Sequence, residues 1–244
     1  MKSLTIAAAA LMLTAGLAQA QTIRMGTEGA YAPYNFIDDA TGQVTGFEIE
    51  LGNAMCERAG LECTWVRNDW DSIIPNLVSS NYDTIMAGMN INEERQAVIA
   101  FTQPYTPATP SAYAALSGDV DVEGGVVAAQ TNTIQAGYVA ETGATLIEFP
   151  NPDQAVAAVR NGEADAILAD RDFLAPIVAE SGGELVWVDG MDRVALGEGI
   201  GMGLRQSDTE LLATFDAQIT AMKEDGTLNE LIVKWFGDDA LIFE

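Results

Sequence analysis

The feature that most constrains the fold of this chain is a pattern that occurs twice. Asp71-x11-Asp83-x-Ile85-Met86-Ala87 returns 82 positions further on as Asp153-x11-Asp165-x-Ile167-Leu168-Ala169, with Leu77 answered by Val159. Each copy reads as a helix, a polar turn and a short buried strand. Helix–turn–strand units resemble one another in any α/β chain, so coincidence and a true internal repeat both stay open at this point. Strand-like stretches at 22–27 and 64–67, and helical spacing over 46–59, continue the alternation. The fold class this predicts is α/β, with parallel sheets covered by helices and two lobes as natural as one domain at this length. A true repeat would put Gly88 and Asp170 at equivalent strand ends. Ligands of open α/β sheets lie beyond the carboxyl ends of strands, so both residues would then face a cleft.

Between the copies runs Pro104-Tyr105-Thr106-Pro107-Ala108-Thr109-Pro110, where three prolines forbid helix and favour an extended connection. Glycines gather at the return, Gly197, Gly199, Gly201 and Gly203. Met202 and Leu204 break any Gly-x-Gly-x-x-Gly pattern there, so no phosphate loop is expected. Two extended crossings read as a hinge, with ordinary loop and strand glycines as the plainer alternative. Asp208 to Phe236 has helical periodicity in two runs broken by Asp225-Gly226-Thr227, and it can pack back on the first lobe. The expected division is a first lobe of residues 21–107 and 200–244, a second lobe of 111–196, and hinges near 106–111 and 197–203.

Residues 1–20 carry one cation, Lys2, then an apolar run from Leu4 to Leu17 and a small-residue ending, Ala18-Gln19-Ala20. That is the pattern of a cleaved export signal, and it predicts a periplasmic location. The whole chain has 11 basic and 36 acidic residues, a formal charge of −25. Such a surface excludes nucleic acid as a partner and favours a soluble monomer. Cys56 and Cys63 are the only cysteines. In an oxidising compartment a local disulfide is the first expectation, because their spacing fits neither a redox Cys-x-x-Cys pair nor a zinc knuckle. Histidine is absent altogether. Ser-His-Asp, Cys-His and His-rich zinc chemistry are thereby removed, and neither a metal nor a cofactor is expected.

Asp83 to Tyr105 then offers a binding group. A short apolar strand over Thr84–Met89 leads to a helix start at Asn92, which places Arg95 in the first helical turn. Early helix positions favour acids, such as Glu93 and Glu94, over a cation. Arg95 therefore needs a partner, and its fork of donors beside free backbone N–H groups suits a carboxylate or phosphate. The plainer reading is a surface arginine.

GFEIELGNAMCERA (46–59), DWDSIIPNL (69–77), AGMNINEERQ (87–96) and EDGTLNELIVKWF (224–236) resemble the periplasmic polar and basic amino-acid-binding proteins of ABC importers, in order and over nearly the whole mature chain. The lysine/arginine/ornithine, histidine and arginine receptors are the nearest in pattern. The resemblance implies a two-lobed periplasmic-binding-protein fold (type II) with two hinge strands. Such a fold closes on one free L-amino acid and docks on an inner-membrane ABC permease.

By that resemblance Arg95 grips the ligand carboxylate with help from backbone at Gly88 and Thr133, and Asp170 accepts the ammonium from the opposite lobe. Tyr31 and Trp70 match two rings that sandwich the ligand side chain, Met89 and Asn90 belong to the same binding segment, and Glu28 stands where an acid reaches a distal cation. Glu28 is one methylene longer than the usual acid, Asn90 and Asn92 stand where Ser and Thr are usual, and Asn132 replaces a common glycine. The expected ligand is basic: arginine, lysine or ornithine. Alternatives are an opine or a neutral polar amino acid, a cyclohexadienyl-dehydratase-like enzyme on the same fold, or a sensor domain presenting its ligand to a receptor kinase.

Overall fold

The computed structural model describes residues 22–244, so the export signal expected over 1–20 lies outside the described residues. In chain order the elements are β1 (Thr22–Thr27), β2 (Ala30–Tyr31), β3 (Asn35–Ile37), β4 (Val44–Thr45), α1 (Phe47–Ala59), β5 (Glu62–Arg67), α2 (Trp70–Val78), β6 (Thr84–Ile85), α3 (Glu93–Gln96), β7 (Ala100–Phe101) and β8 (Ser111–Ala115). There follow β9 (Val126–Gln130), α4 (Ile134–Ala140), β10 (Thr145–Phe149), α5 (Pro152–Arg160), β11 (Ala166–Asp170), α6 (Arg171–Glu180), β12 (Val186–Trp187), β13 (Gly203–Leu204), α7 (Thr209–Glu224) and α8 (Thr227–Phe236).

Two five-stranded sheets organise two lobes. The first has the order β5-β1-β6-β13-β7, with β1 parallel to β5 and β6, and β13 antiparallel to both of its neighbours. The second has the order β10-β9-β11-β8-β12, with β9 parallel to β10 and β11, and β8 antiparallel to β11 and β12. The sheets are thus mixed, where the sequence pattern suggested mainly parallel ones. In each, the strand that enters from the other lobe, β13 or β8, arrives by a crossing and not by a βαβ return, so nothing forces it parallel.

The repeat is structural. Asp83 N–H donates to Arg24 O at 2.8 Å while Arg24 N–H donates to Asp83 Oδ2 at 3.0 Å. In the second sheet Asp165 N–H donates to Val126 O at 2.8 Å while Val126 N–H donates to Asp165 Oδ2 at 2.8 Å. Each aspartate therefore clamps the neighbouring parallel strand at two points, just ahead of β6 or β11. Leu77 and Val159 are both fully buried under their sheets.

Around this frame α1 buries Phe47, Leu51 and Met55 against Met25 of β1 and against Phe215, Ile219 and Met222 of α7. The Cys56–Cys63 disulfide ties the end of α1 to β5, with Cα atoms 6.2 Å apart. The apolar run expected as one strand over 84–89 pairs regularly only as far as Ile85, because Gly88 takes a left-handed conformation, φ 63°, and turns the chain inward. The helix that starts at Asn92 lasts a single turn, with Asn92 Oδ1 accepting from Arg95 N–H at 2.8 Å.

The chain passes between the sheets twice, after β7 and before β13, and the two crossings hold each other. Thr102 N–H donates to Met202 O at 3.0 Å and Tyr105 N–H to Ile200 O at 2.8 Å. Gly199 has φ 110°, and a Cβ there would stand 2.8 Å from the Thr106 carbonyl, so this close approach requires glycine. Among the described residues no helix is long and apolar enough to cross a membrane.

Candidate functional site

A small cavity of about 20 Å³ lies between the lobes. From the first lobe it is lined by Glu28, Tyr31, Trp70, Gly88, Asn90 and Arg95, and from the second by Gln130, Thr133, Gln135 and Asp170. All but one of the residues singled out from the sequence are brought together here. The exception is Met89, which packs in the apolar cluster of Trp70, Ile73, Ile85 and Ile99 and borders the wider adjoining cavity that Trp70, Arg95 and Thr133 also line. Its neighbours point to the cleft because Gly88 turns the chain, and Met89 then falls on the core side.

Arg95 has the placement that made it conspicuous in sequence, and it is 8% exposed. Its Nη1 donates to Asn90 O at 2.6 Å and its Nη2 to Asn132 O, across the cleft, at 3.1 Å. The guanidinium lies over the Trp70 ring, 5.3 Å from its centroid. Burial lowers its pKa to about 10, so it remains a cation at neutral pH. Among the described residues no carboxylate is within ion-pair distance of it, which leaves its charge for an anion in the cavity.

Asp170 closes the opposite wall. It ends β11 and precedes α6, and it accepts from Tyr31 Oη at 2.7 Å, Gln135 Nε2 at 2.9 Å and Asn90 Nδ2 at 3.3 Å. Burial raises its pKa to about 6, against the pull of those donors. Burial, together with Asp170, pushes Tyr31 well above the usual phenol range, so its hydroxyl stays protonated as a donor.

Tyr31 stacks on Phe173 of the second lobe, with centroids 4.3 Å apart and planes within 4°. Tyr34 Oη reaches Asp172 Oδ2 at 3.2 Å. Two tyrosines of one lobe thereby engage two carboxylates of the other. Of the expected aromatic pair, Tyr31 and Trp70 both border the cavity, Tyr31 leaning on Phe173 and Trp70 carrying Arg95.

Glu28 supplies a third charge. Its Oε1 accepts from Gln130 Nε2 of the second lobe at 2.7 Å, and burial raises its pKa to about 7. Gly88 is at the cavity wall, but its N–H donates to Glu48 Oε1 at 2.8 Å. What this glycine can offer a ligand is therefore its carbonyl, an acceptor suited to an ammonium. Thr133 caps α4, its hydroxyl donating to Gln130 O at 2.7 Å and accepting from Ala136 N–H at 3.1 Å.

Sequence reasoning missed Gln130 and Gln135, which border the cavity, and Glu48, which lies behind it. Both glutamines stand in QTNTIQ, a segment already marked for Asn132, and an uncharged amide carries little signal of its own. Among the described residues no group of His, Cys, Asp or Glu is arranged to hold a metal.

Two mixed sheets flanked by helices, joined by paired crossings beside a charged cavity, define the class of the two-lobed periplasmic binding proteins. Comparison places the chain more narrowly. Residues 23–238 match the bacterial extracellular solute-binding proteins, family 3, and the chain belongs to that family. A periplasmic His/Glu/Gln/Arg/opine family-binding protein from Silicibacter pomeroyi, solved in complex with lysine, is 67% identical with a TM-score of 0.88, over 91% of this chain and 100% of that one. The lysine/arginine/ornithine-binding periplasmic protein of Escherichia coli K12 is 32% identical, over 93% of this chain and 95% of the relative. An ancestral amino-acid-binding protein described as a precursor of cyclohexadienyl dehydratase is also 32% identical, with a TM-score of 0.79, over 88% of this chain and 95% of that one.

Proposed function

We propose that this protein is a periplasmic receptor for a basic L-amino acid, lysine first, which it encloses between its lobes and delivers to an ABC permease. The observation that carries the reading is the charge set of the cavity. Arg95 is an unpaired buried cation, Asp170 a buried acid from the other lobe, and Glu28 a second acid. An α-amino acid is a zwitterion and matches the first two, and a basic side chain adds a cation for the third. Arg95 takes the carboxylate, Asp170 and the Gly88 carbonyl take the ammonium, and Tyr31 and Trp70 flank the side chain. The bound lysine of the two-thirds identical Silicibacter pomeroyi protein supports the choice.

The reading takes residues 21–107 and 200–244 as one jaw, 111–196 as the other, and the crossings as the hinge. Export by residues 1–20 and a monomeric state belong to it, and it assigns no catalysis. A neutral polar ligand is the second reading, favoured by one observation. A Glu28 pKa of about 7 leaves that acid partly protonated near neutrality, where it can serve an uncharged amide.

The test is calorimetric titration and thermal shift of refolded, ligand-free protein with lysine, arginine, ornithine, glutamine and an opine. Saturation at 100 times Kd stabilises by about 2.7 kcal/mol and raises the midpoint by roughly 5–10 °C. Stoichiometric binding of basic ligands alone is expected, with Arg95→Ala costing about 2–5 kcal/mol of affinity. Binding of glutamine or the opine alone would replace the basic ligand, and formation of phenylpyruvate from prephenate would replace the receptor by an enzyme.

A further inference from the structure

Glu48 is fully buried in the first turn of α1, yet it does not line the cavity and, among the described residues, forms no ion pair. Its Oε2 accepts from Asn35 Nδ2 at 2.7 Å, and Asn35 Oδ1 accepts from Gly29 N–H at 2.7 Å, which fixes the orientation of that amide. Its Oε1 accepts from Gly88 N–H at 2.8 Å and from the hydroxyl of Tyr105. Asn35 and Tyr105 are also fully buried. One carboxylate thus joins three separate parts of the protein. These are the loop carrying Glu28 and Gly29, the left-handed turn at Gly88, and the first crossing, where Tyr105 is bonded to Ile200 of the second crossing.

Resting on the receptor reading above, we propose that Glu48 is a positioning residue that couples the hinge to the binding cavity, holding the Gly88 carbonyl on the ligand ammonium when the Tyr105 crossing is in its closed arrangement. The physical basis is the cost of an unmet buried donor. If the crossing shifts and Tyr105 withdraws, Glu48 loses a donor and must re-form its bonds, and the Gly88 N–H shares the same Oε1 with the Tyr105 hydroxyl. Gly88 also lies directly under the Tyr31 ring, where a Cβ would stand 3.1 Å from Tyr31 Cδ1, so its placement governs that ring as well. The hinge thereby reports to the ligand through a group that the ligand never touches.

The experiment is titration of wild type, Glu48→Gln and Tyr105→Phe with lysine and with 6-aminohexanoate, which keeps the carboxylate and distal cation but lacks the α-ammonium. Weak binding is read by displacement of a fluorescent lysine analogue. Both variants are expected to weaken lysine at least fivefold while changing 6-aminohexanoate less than twofold, so that the preference between the two shrinks. Equal losses for both ligands, or a lysine change below twofold, overturns the inference. Should Glu48→Gln fail to fold, Tyr105→Phe decides alone, since it removes one hydroxyl and leaves the ring in place. A wild type that does not bind lysine overturns the receptor reading, and this inference with it. Lysine binding by the wild type with indiscriminate losses in the variants overturns the inference only.

Discussion

Glu28 and Asp170 share a property that ordinary surface acids lack: burial raises the pKa of one to about 7 and of the other to about 6. Both values lie above those of the unfolded chain, so protonation favours the ligand-free folded state. Their unfavourable contribution therefore accumulates as pH rises from about 4 and is complete once pH has passed about 6 for Asp170 and 7 for Glu28. A cationic amino acid reverses the demand, since it needs both groups ionised. Lysine affinity is accordingly expected to fall as pH drops through 7 towards 5, by up to about tenfold per unit for each proton involved. Calorimetry in buffers of different ionisation enthalpy would count the protons released, and Glu28→Gln should remove the step near 7. A flat profile would mean that Glu28 does not meet the ligand. At this scale Arg95 was legible because a cation in a first helical turn contradicts the helix dipole, and the contradiction needs a partner. Glu48 was illegible for the opposite reason. An acid in the first turn is the commonest surface arrangement, and only Leu51, Gly52 and Met55, three, four and seven positions on, hint that this face of α1 is buried.

Among the elements, the two aspartate clamps do the same job with unequal resources. Asp83 is buried, which alone would raise its pKa, but bonds from Arg24 and Arg205 bring it below the usual carboxylate value. Asp165 is exposed and is engaged by backbone only. Asp83→Ala should cost about 2 kcal/mol because it removes bonds to Arg24 and Arg205 as well as the backbone clamp, and Asp165→Ala about 1 kcal/mol. Denaturant melts would read both, and equal losses would show that the backbone clamp, and not the arginines, carries the stability. The clamps were visible in the sequence as a spacing, since a helix, a turn and a paired strand fix the distance between their aspartates. The short β6 was not visible, because Thr84–Met89 keeps its apolar pattern past the point where Gly88 leaves the sheet. The difference lies in one φ angle, which hydrophobic periodicity does not encode.

For the whole molecule, a formal charge of −25 means that folding gathers like charges against their mutual repulsion. Raising salt from about 0.05 to about 0.5 M shortens the Debye length from roughly 14 to 4 Å, so the melting temperature of the ligand-free protein should rise. Lysine should bind more weakly over the same range, because the field that attracts a cation is screened. A melting temperature indifferent to salt would mean that the charges are too dispersed to interact. The order of the first sheet carries a consequence for assembly. β13 stands between β6 and β7, yet it comes from residues 203–204, after every strand of the second sheet has passed. A chain that stops short of Gly203 can still finish the second sheet. It leaves β6 with a bare edge and β7 with no partner, and bare edges invite pairing with neighbouring chains. Fragments of this protein, rather than the protein itself, are the species that should aggregate.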